Sequence, residues 1–308
     1  MKQHNQTRLT YGVLFALFFL IYGNSIKNLH AYNQPPVNLS VTTFLDGGAP
    51  PGLYFIGYSL YTQGNRAVSA QGETISGGAQ VEALTHLTQF YYLSKFEFLG
   101  AHPAIDVLLP VVSPTISGSF GGFALSANSA GLGDFLVGPA IQWDKASLLG
   151  GPIFQRVEFD LTFPTGKYDK RFSANPGSNL LTFNPYYSMV WLFQPKWDAD
   201  VRLWYALHGE NNETNVKPGQ LFHLNYAVSR EIYPQYRAGF AGYFLQQLTE
   251  DQKNGTDMVD SKERVAAIGP GAVYMGQGLT AMLSFPIEFA AKNRFQGFRA
   301  TLELVHKF

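Results

Sequence analysis

Two carboxylate pairs, each separated by one residue, are the first feature of this sequence with chemical content: Glu158/Asp160 and Asp198/Asp200. On an extended chain such pairs project to one side about 7 Å apart, a geometry open to acid–base work or to a Ca²⁺ ion. Arg156 and Arg202 fall in the same phase as these pairs, so mutual neutralisation is the reading placed first. Three histidines, His86, His208 and His223, stand in comparable stretches, but their spacing matches no metal-ligand pattern. Ser229 and His208 have no evident third group that would complete a nucleophile–base relay. The glycine-rich piece Gly118-Ser-Phe-Gly-Gly122 lacks the Lys and Ser/Thr of a phosphate loop. With no cysteine, disulfides, thiolate metal sites and cysteine nucleophiles are excluded. No catalytic residue, metal site or cofactor is assigned, and a non-enzymatic role is expected.

The stretches that carry these residues alternate with period two. Trp197, Ala199, Val201, Leu203, Tyr205 and Leu207 are interleaved with Asp198, Asp200, Arg202, Trp204, His208 and Glu210. Likewise Phe222, Leu224, Tyr226 and Val228 oppose His223, Asn225, Ser229 and Glu231, and Val157, Phe159 and Leu161 oppose Arg156, Glu158 and Asp160. A helical period of 3.6 would scatter both sets, so these are strands with one apolar and one polar face. Similar runs occupy 53–61, 82–94, 103–113, 132–143, 153–164, 181–193, 197–210, 219–231, 236–249, 262–275, 279–290 and 296–308. The connections alternate as well, long and polar at 62–81, 114–131, 165–180, 211–218 and 250–261, shorter at 144–152, 194–196, 232–235 and 276–278, with the short 291–295 breaking the rule on the long-loop side.

Composition says which strand protein this is. The 308 residues hold 22 basic and 22 acidic side chains, 14% charged overall, where a soluble domain has about 25%. Aromatics reach 15%, which excludes a disordered chain, and the balanced charge excludes a basic nucleic-acid binder. Mean hydropathy is −0.05, so there is no bundle of membrane helices. Apolar residues interleaved rather than clustered, with aromatics such as Trp143, Trp191, Trp197, Tyr233 and Tyr236 near strand ends, fit a transmembrane barrel with two interfacial girdles. The expected fold is all-β, an antiparallel up-and-down transmembrane barrel of about twelve strands.

The N-terminus supports export. Lys2 and Arg8 precede the apolar run from Tyr11 to Tyr22, too short to span a bilayer and suited to a signal peptide. Cleavage after Ser25, or as late as Ala31, would leave 32–52 as an N-terminal periplasmic extension and 53–308 as the barrel. Removing 1–25 takes away Lys2 and Arg8 and leaves 20 basic against 22 acidic residues.

In such a barrel the polar phase lines the lumen. The candidate lining residues are Arg156, Glu158, Asp160, Asp198, Asp200, Arg202, Trp204, His208, Glu210, His223, Glu231, Glu288, Arg299 and Glu303. They could bias which solutes pass or satisfy one another as a plug; twelve strands lie between filled small barrels and open porins, and both readings stand. Trp204 could offer a ring surface to a solute, or simply fill space. Loop 165–180, with Lys167, Asp169, Lys170 and Arg171, could fold inward or remain solvated.

Several phrases, in order along 50–308, resemble the outer-membrane transporter family named after the meta pathway of phenol degradation. They include Asp134-Phe-Leu-Val-Gly-Pro139, Phe163-Pro-Thr-Gly-Lys-Tyr-Asp-Lys170, Asn175-Pro-Gly-Ser-Asn179, Pro218-Gly-Gln220, Gly242-Tyr-Phe-Leu-Gln-Gln-Leu-Thr249 and Arg264-Val-Ala-Ala-Ile-Gly-Pro270. The resemblance implies a bacterial outer-membrane protein associated with uptake of aromatic or hydrophobic compounds. The expected protein is a monomeric channel in outer-membrane lipid that admits small hydrophobic or aromatic solutes passively. It carries no catalytic residues. The alternative is a structural or adhesive surface barrel with a closed lumen. The last strand, ending in the lipid-facing Phe308, resembles the signal read by the barrel-assembly machinery, with His306 departing from the usual apolar pattern.

Long connections on one side define the outer face of such barrels. Epitope tags inserted within 165–180 or 250–261 are expected to be labelled on intact cells, and tags in 194–196 or 276–278 are not. Equal labelling of the two sets would contradict the strand count or its phase.

Overall fold

The computed structural model describes residues 37–42, 44–120 and 123–308. The expected export signal lies outside the described residues. Twelve strand positions form the wall: β1 (Gly52–Val68), β2 (Gln80–Leu93), β3 (His102–Ser117), β4 (Phe135–Leu148), β5 (Gly151–Phe163), β6 (Thr182–Gln194), β7 (Trp197–His208), β8 (Leu221–Tyr233), β9 (Tyr236–Gln247), β10 (Arg264–Met275), β11 in two pieces (Leu279–Ser284 and Ile287–Lys292) and β12 (Arg294–Lys307). Each pairs antiparallel with its sequence neighbours, and β1 pairs with β12 from Tyr54↔Lys307 to Val68↔Arg294, which closes the barrel. The predicted strands agree closely except at three ends. The polar run 62–68, read as loop, continues the β1 ladder past a bulge between Gly64 and Arg66. β3 runs on through 114–117 and β4 through 144–148, read as loop and turn.

The phase is as read. Along β7 every second residue from Asp198 to His208 is buried, while Trp197, Tyr205 and Leu207 are exposed on the other side. Phe90, Phe159, Val228, Phe240, Leu302 and Leu304 extend that exposed apolar band around the barrel, as lipid contact requires.

β11 breaks at Phe285-Pro286, because proline has no N–H to give to a ladder. Its second piece shares a single paired position with β12, Ile287↔Phe298. Side chains replace the missing bonds: Gly297 N–H donates to Glu288 Oε2 at 2.8 Å and Ala291 N–H to Gln296 Oε1 at 3.2 Å.

The expected periplasmic extension is corrected by the structure: its described part, from Val37 onward, threads the lumen. Leu39 packs with Val68, Leu221, Tyr243, Leu245 and Val265 at the long-loop end. Phe44 packs lower, among Ala227, Ala241, Val273 and Met282, and Ala49 reaches Tyr54 and Leu93 near the short turns. Leu39 and Phe44 are fully buried. A twelve-strand lumen is too wide for wall side chains alone to fill, so this strap finds apolar cover there.

The strap also changes what a lumenal substitution costs. By phase alone Ala206 is a tolerant inward site for a charge, yet it is 1% exposed against the strap cluster. Thr85, half-buried beside free space, is the better inward control. Leu203→Arg at the mid-height of β7 is expected to cost about 2–4 kcal/mol in reversible unfolding from lipid, and Thr85→Arg clearly less. Equal costs would mean that the faces are misassigned.

Candidate functional site

Beside the strap, the wall of β1–β6 leaves a cavity of about 300 Å³. Val41 of the strap and Leu60, Leu87, Leu108, Val112 and Leu136 of the wall make its apolar side. Gln89, Asp106, Glu158, Asp160, Tyr186 and Arg202 make its polar floor. Inward apolar residues from three or four consecutive strands are unusual in a lumen, where the inner face is ordinarily polar.

The strap is held by charge as well as by packing. Arg202, 6% exposed, pairs with Asp46 and lies 4.5 Å over the Tyr186 ring. Gln142 Nε2 donates to the Ala49 carbonyl at 2.6 Å, and Asn225 Nδ2 donates to the Thr42 carbonyl at 3.0 Å. Ser40 Oγ meets Thr301 Oγ1 at 3.2 Å.

Neutralisation thus takes a different form from the one the spacing suggests. Asp198 is neutralised by Arg237 on β9, with Ser229 donating at 2.7 Å. Arg202 serves the strap instead. Arg156 stands 3.7 Å from Glu158 Oε2 and 4.4 Å over the Tyr91 ring. Glu288 accepts from Tyr243 at 2.6 Å and faces Arg299 at 3.6 Å. Asp160, Asp200 and Glu303 are buried on the same inner side.

The remaining candidates divide. Trp204, 2% exposed, is stacked on His223 at 4.7 Å and 11° and tilted against Tyr186 at 5.4 Å, and it does not line the cavity. It fills space. His208 bonds Thr182 through Nδ1 at 3.0 Å. His86 points outward, bonded to Ser59 at 3.0 Å, so the three histidines do not gather. Glu210 lies past the end of β7 and is exposed; Glu231, half-buried at the end of β8, pairs with Lys196 at 3.4 Å. Neither joins the inner cluster.

Over the cavity, loop 165–180 does both things considered for it. Asn175, Pro176, Gly177 and Ser178 line the cavity, whereas the Arg171–Asp169 pair faces outward, its guanidinium holding the Asp169 carboxyl down to about 2. Asp134 locks the loop, accepting from Gly166 N–H at 2.8 Å and from Ser178 N–H at 2.7 Å. Gly166 and Gly177 cross so closely that a Cβ on either would meet the other's backbone at 2.7 Å. A second lock joins Gly219, Gln247 and Asp251: Gly219 N–H and Gln247 Nε2 both donate to Asp251 Oδ1 at 2.8 Å. The phrases that carried the resemblance are largely these two locks.

The family model described as "Putative MetA-pathway of phenol degradation" matches residues 64–304. The chain belongs to this family. No curated protein sequence matches it. Its fold is similar to that of an outer membrane channel from Pseudomonas putida F1, with a TM-score of 0.75 at 16% identity over 87% of this chain and 100% of the other. It is also similar to the translocator domain of the autotransporter NalP from Neisseria meningitidis, at TM-score 0.48, 12% identity and coverage of 86% and 91%. For the TodX monoaromatic hydrocarbon channel the values are 0.43, 8%, 91% and 100%. The barrel fold of this family member is that of outer-membrane barrels.

Sequence reasoning passed over Asp46, Asp106, Asn184 and Arg237, and it placed Tyr186 among the interfacial aromatics near strand ends, whereas Tyr186 is buried on the lumen side and lines the cavity. Asp106 left one signal, as the only charge in the apolar strand 103–113. Asp46 left none, since nothing local distinguishes a strap from a tail.

Removing one member of a buried pair strands the other charge. Asp46→Asn is expected to cost about 3–5 kcal/mol in reversible unfolding, while Asp46→Leu with Arg202→Met recovers most of that loss. A single substitution as mild as the double one would show that the pair does not hold the strap.

Proposed function

We propose that this protein sits in the bacterial outer membrane as a monomeric channel and passes small hydrophobic or aromatic solutes down their gradient. The observation that carries this reading is the cavity beside the strap, apolar on its upper wall and polar at its floor. A strap through the lumen removes a wide aqueous pore and leaves a route for small molecules only. A single ring buried there would hide roughly 150 Å² of surface, about 4 kcal/mol at 25 cal/mol per Å². That corresponds to binding near 1 mM, strong enough to draw a solute from the hydrated surface and weak enough to release it. Phe308, exposed at the end of β12, would serve assembly into the membrane rather than transport.

Growth on a scarce aromatic carbon source tests the reading in a deletion strain, the wild type and a Leu87→Lys strain. Transport predicts slower growth for the deletion and for Leu87→Lys, with the variant protein still folded in the outer membrane. Unchanged uptake of every aromatic and aliphatic compound tried in the deletion would sink the channel reading in favour of a closed structural or adhesive barrel.

A further inference from the structure

The floor of the cavity has a chemistry that the transport reading does not use. Asp106, Glu158 and Asp160 come from β3 and β5, and one oxygen of each lies within 4.8 Å of the others. All three residues are buried, at 4%, 1% and 6% exposure. Their other oxygens are already engaged where the wall offers donors. Gln89 Nε2 donates to Asp106 Oδ2 at 2.6 Å, and Gln89 is itself oriented by the Tyr58 hydroxyl at 2.9 Å. Tyr186 donates to Glu158 Oε2, which also faces Arg156. What remains is Asp106 Oδ1, Glu158 Oε1 and Asp160 Oδ1, each buried and without a hydrogen-bond partner.

Two further observations point to a ligand among them. Asn184, 6% exposed, lies directly across from Asp160 in the β5–β6 register and lines the same cavity, and its Oδ1 also has no partner. A cation among them would partner the Asn184 carbonyl oxygen together with the three carboxylate oxygens. The space between these oxygens exists because β4 places a glycine there: a Cβ on Gly138 would stand 2.4 Å from Asp160 Oδ1 and 2.5 Å from Glu158 Oε1. Charge is also out of balance. Of the three carboxylates Glu158 faces Arg156, while Arg202, the next cation along the floor, is taken by Asp46. Ionised together, the three acids would leave a deficit of two charges.

We propose that Asp106, Glu158, Asp160 and Asn184 bind one Ca²⁺ ion at the cavity floor. An all-oxygen donor set selects a hard cation, and two uncompensated charges select a divalent one. Oxygens within 4.8 Å of one another fit a sphere of radius about 2.4 Å, the Ca²⁺–oxygen distance, and Mg²⁺, which gives up its water reluctantly, is the poorer fit to a site built of protein oxygens. Gln89, Tyr186 and Arg156 act as the outer layer that orients the ligating oxygens, and water from the cavity above completes the coordination. The ion ties β3 to β5 and β6 beneath the apolar wall. This assignment stands apart from the transport reading, since the site can fill whether or not a solute passes.

Refolded full-length protein in detergent, stripped with EDTA and exchanged, gives a direct test with Tb³⁺ as the probe. Tyr186, touching Glu158, is placed to sensitise its luminescence. One saturable Tb³⁺ site is expected, emptied by Ca²⁺ at far lower concentration than by Mg²⁺. Asp160→Asn and Gly138→Ala each weaken binding at least tenfold, Asn184→Ala weakens it less, and Asp257→Asn on an exposed loop leaves it unchanged. Heat-modifiable gel migration identifies which variants are folded, and the mild Asn184→Ala keeps the test open should Gly138→Ala fail to fold. A folded wild type with no sensitised, saturable site up to millimolar Tb³⁺ overturns the proposal. So does equal affinity in wild type, Asp160→Asn and Asn184→Ala, which would assign the ion to adventitious surface carboxylates.

Discussion

The hydrocarbon core of a bilayer offers peptide groups no hydrogen-bond partner, so a chain crossing it as strands must close on itself. Much of this structure follows from that demand. The β1–β12 ladder removes the last open edge, and strands of about a dozen residues follow from the distance to be crossed at a tilt. The break in β11 meets the same demand by other means. Where Pro286 interrupts β11, the Glu288 carboxylate and the Gln296 amide take the N–H groups that the ladder leaves over. Glu288, read from sequence only as a lumen charge, therefore also repairs the wall.

Closure creates an interior that must then be filled. The strap does this asymmetrically, packing Leu39 and Phe44 against β8–β10 and leaving free volume against β1–β6. Its buried guanidinium–carboxylate pair, Arg202 with Asp46, contributes position more than net stability, since desolvation offsets most of the attraction in such pairs. The loops close over the same free volume through Asp134, whose carboxylate gathers N–H groups from both ends of loop 165–180. Strap, wall and loop thus define one cavity from three separate parts of the chain.

A soluble barrel reverses this arrangement, with oil inside and water outside. Here the charged side chains face inward and are held by partners on other strands, while Phe90, Phe159 and Phe240 stand exposed. The low charge content of the sequence is the compositional trace of that inversion, because only loops and lumen have use for charge.

The sequence by itself determined the strands, their phase and which residues of β5, β7 and β8 turn inward. Period two is a local property, readable within ten residues, and lipid punishes a slip of one position along the entire strand. The family phrases were legible for a related reason, since the glycines and acids of the loop locks are restricted by tight geometry. What only the tertiary structure decided was partnership. Arg202 lies four residues from Asp198, yet Asp198 pairs with Arg237 and Arg202 with Asp46, 156 positions earlier. Such choices depend on strand stagger and on what else enters the lumen, and neither leaves a periodic trace. The strap is the extreme case: residues 37–42 and 44–49 show neither alternation nor charge pattern, and they become part of the interior only because twelve closed strands enclose more space than their side chains fill.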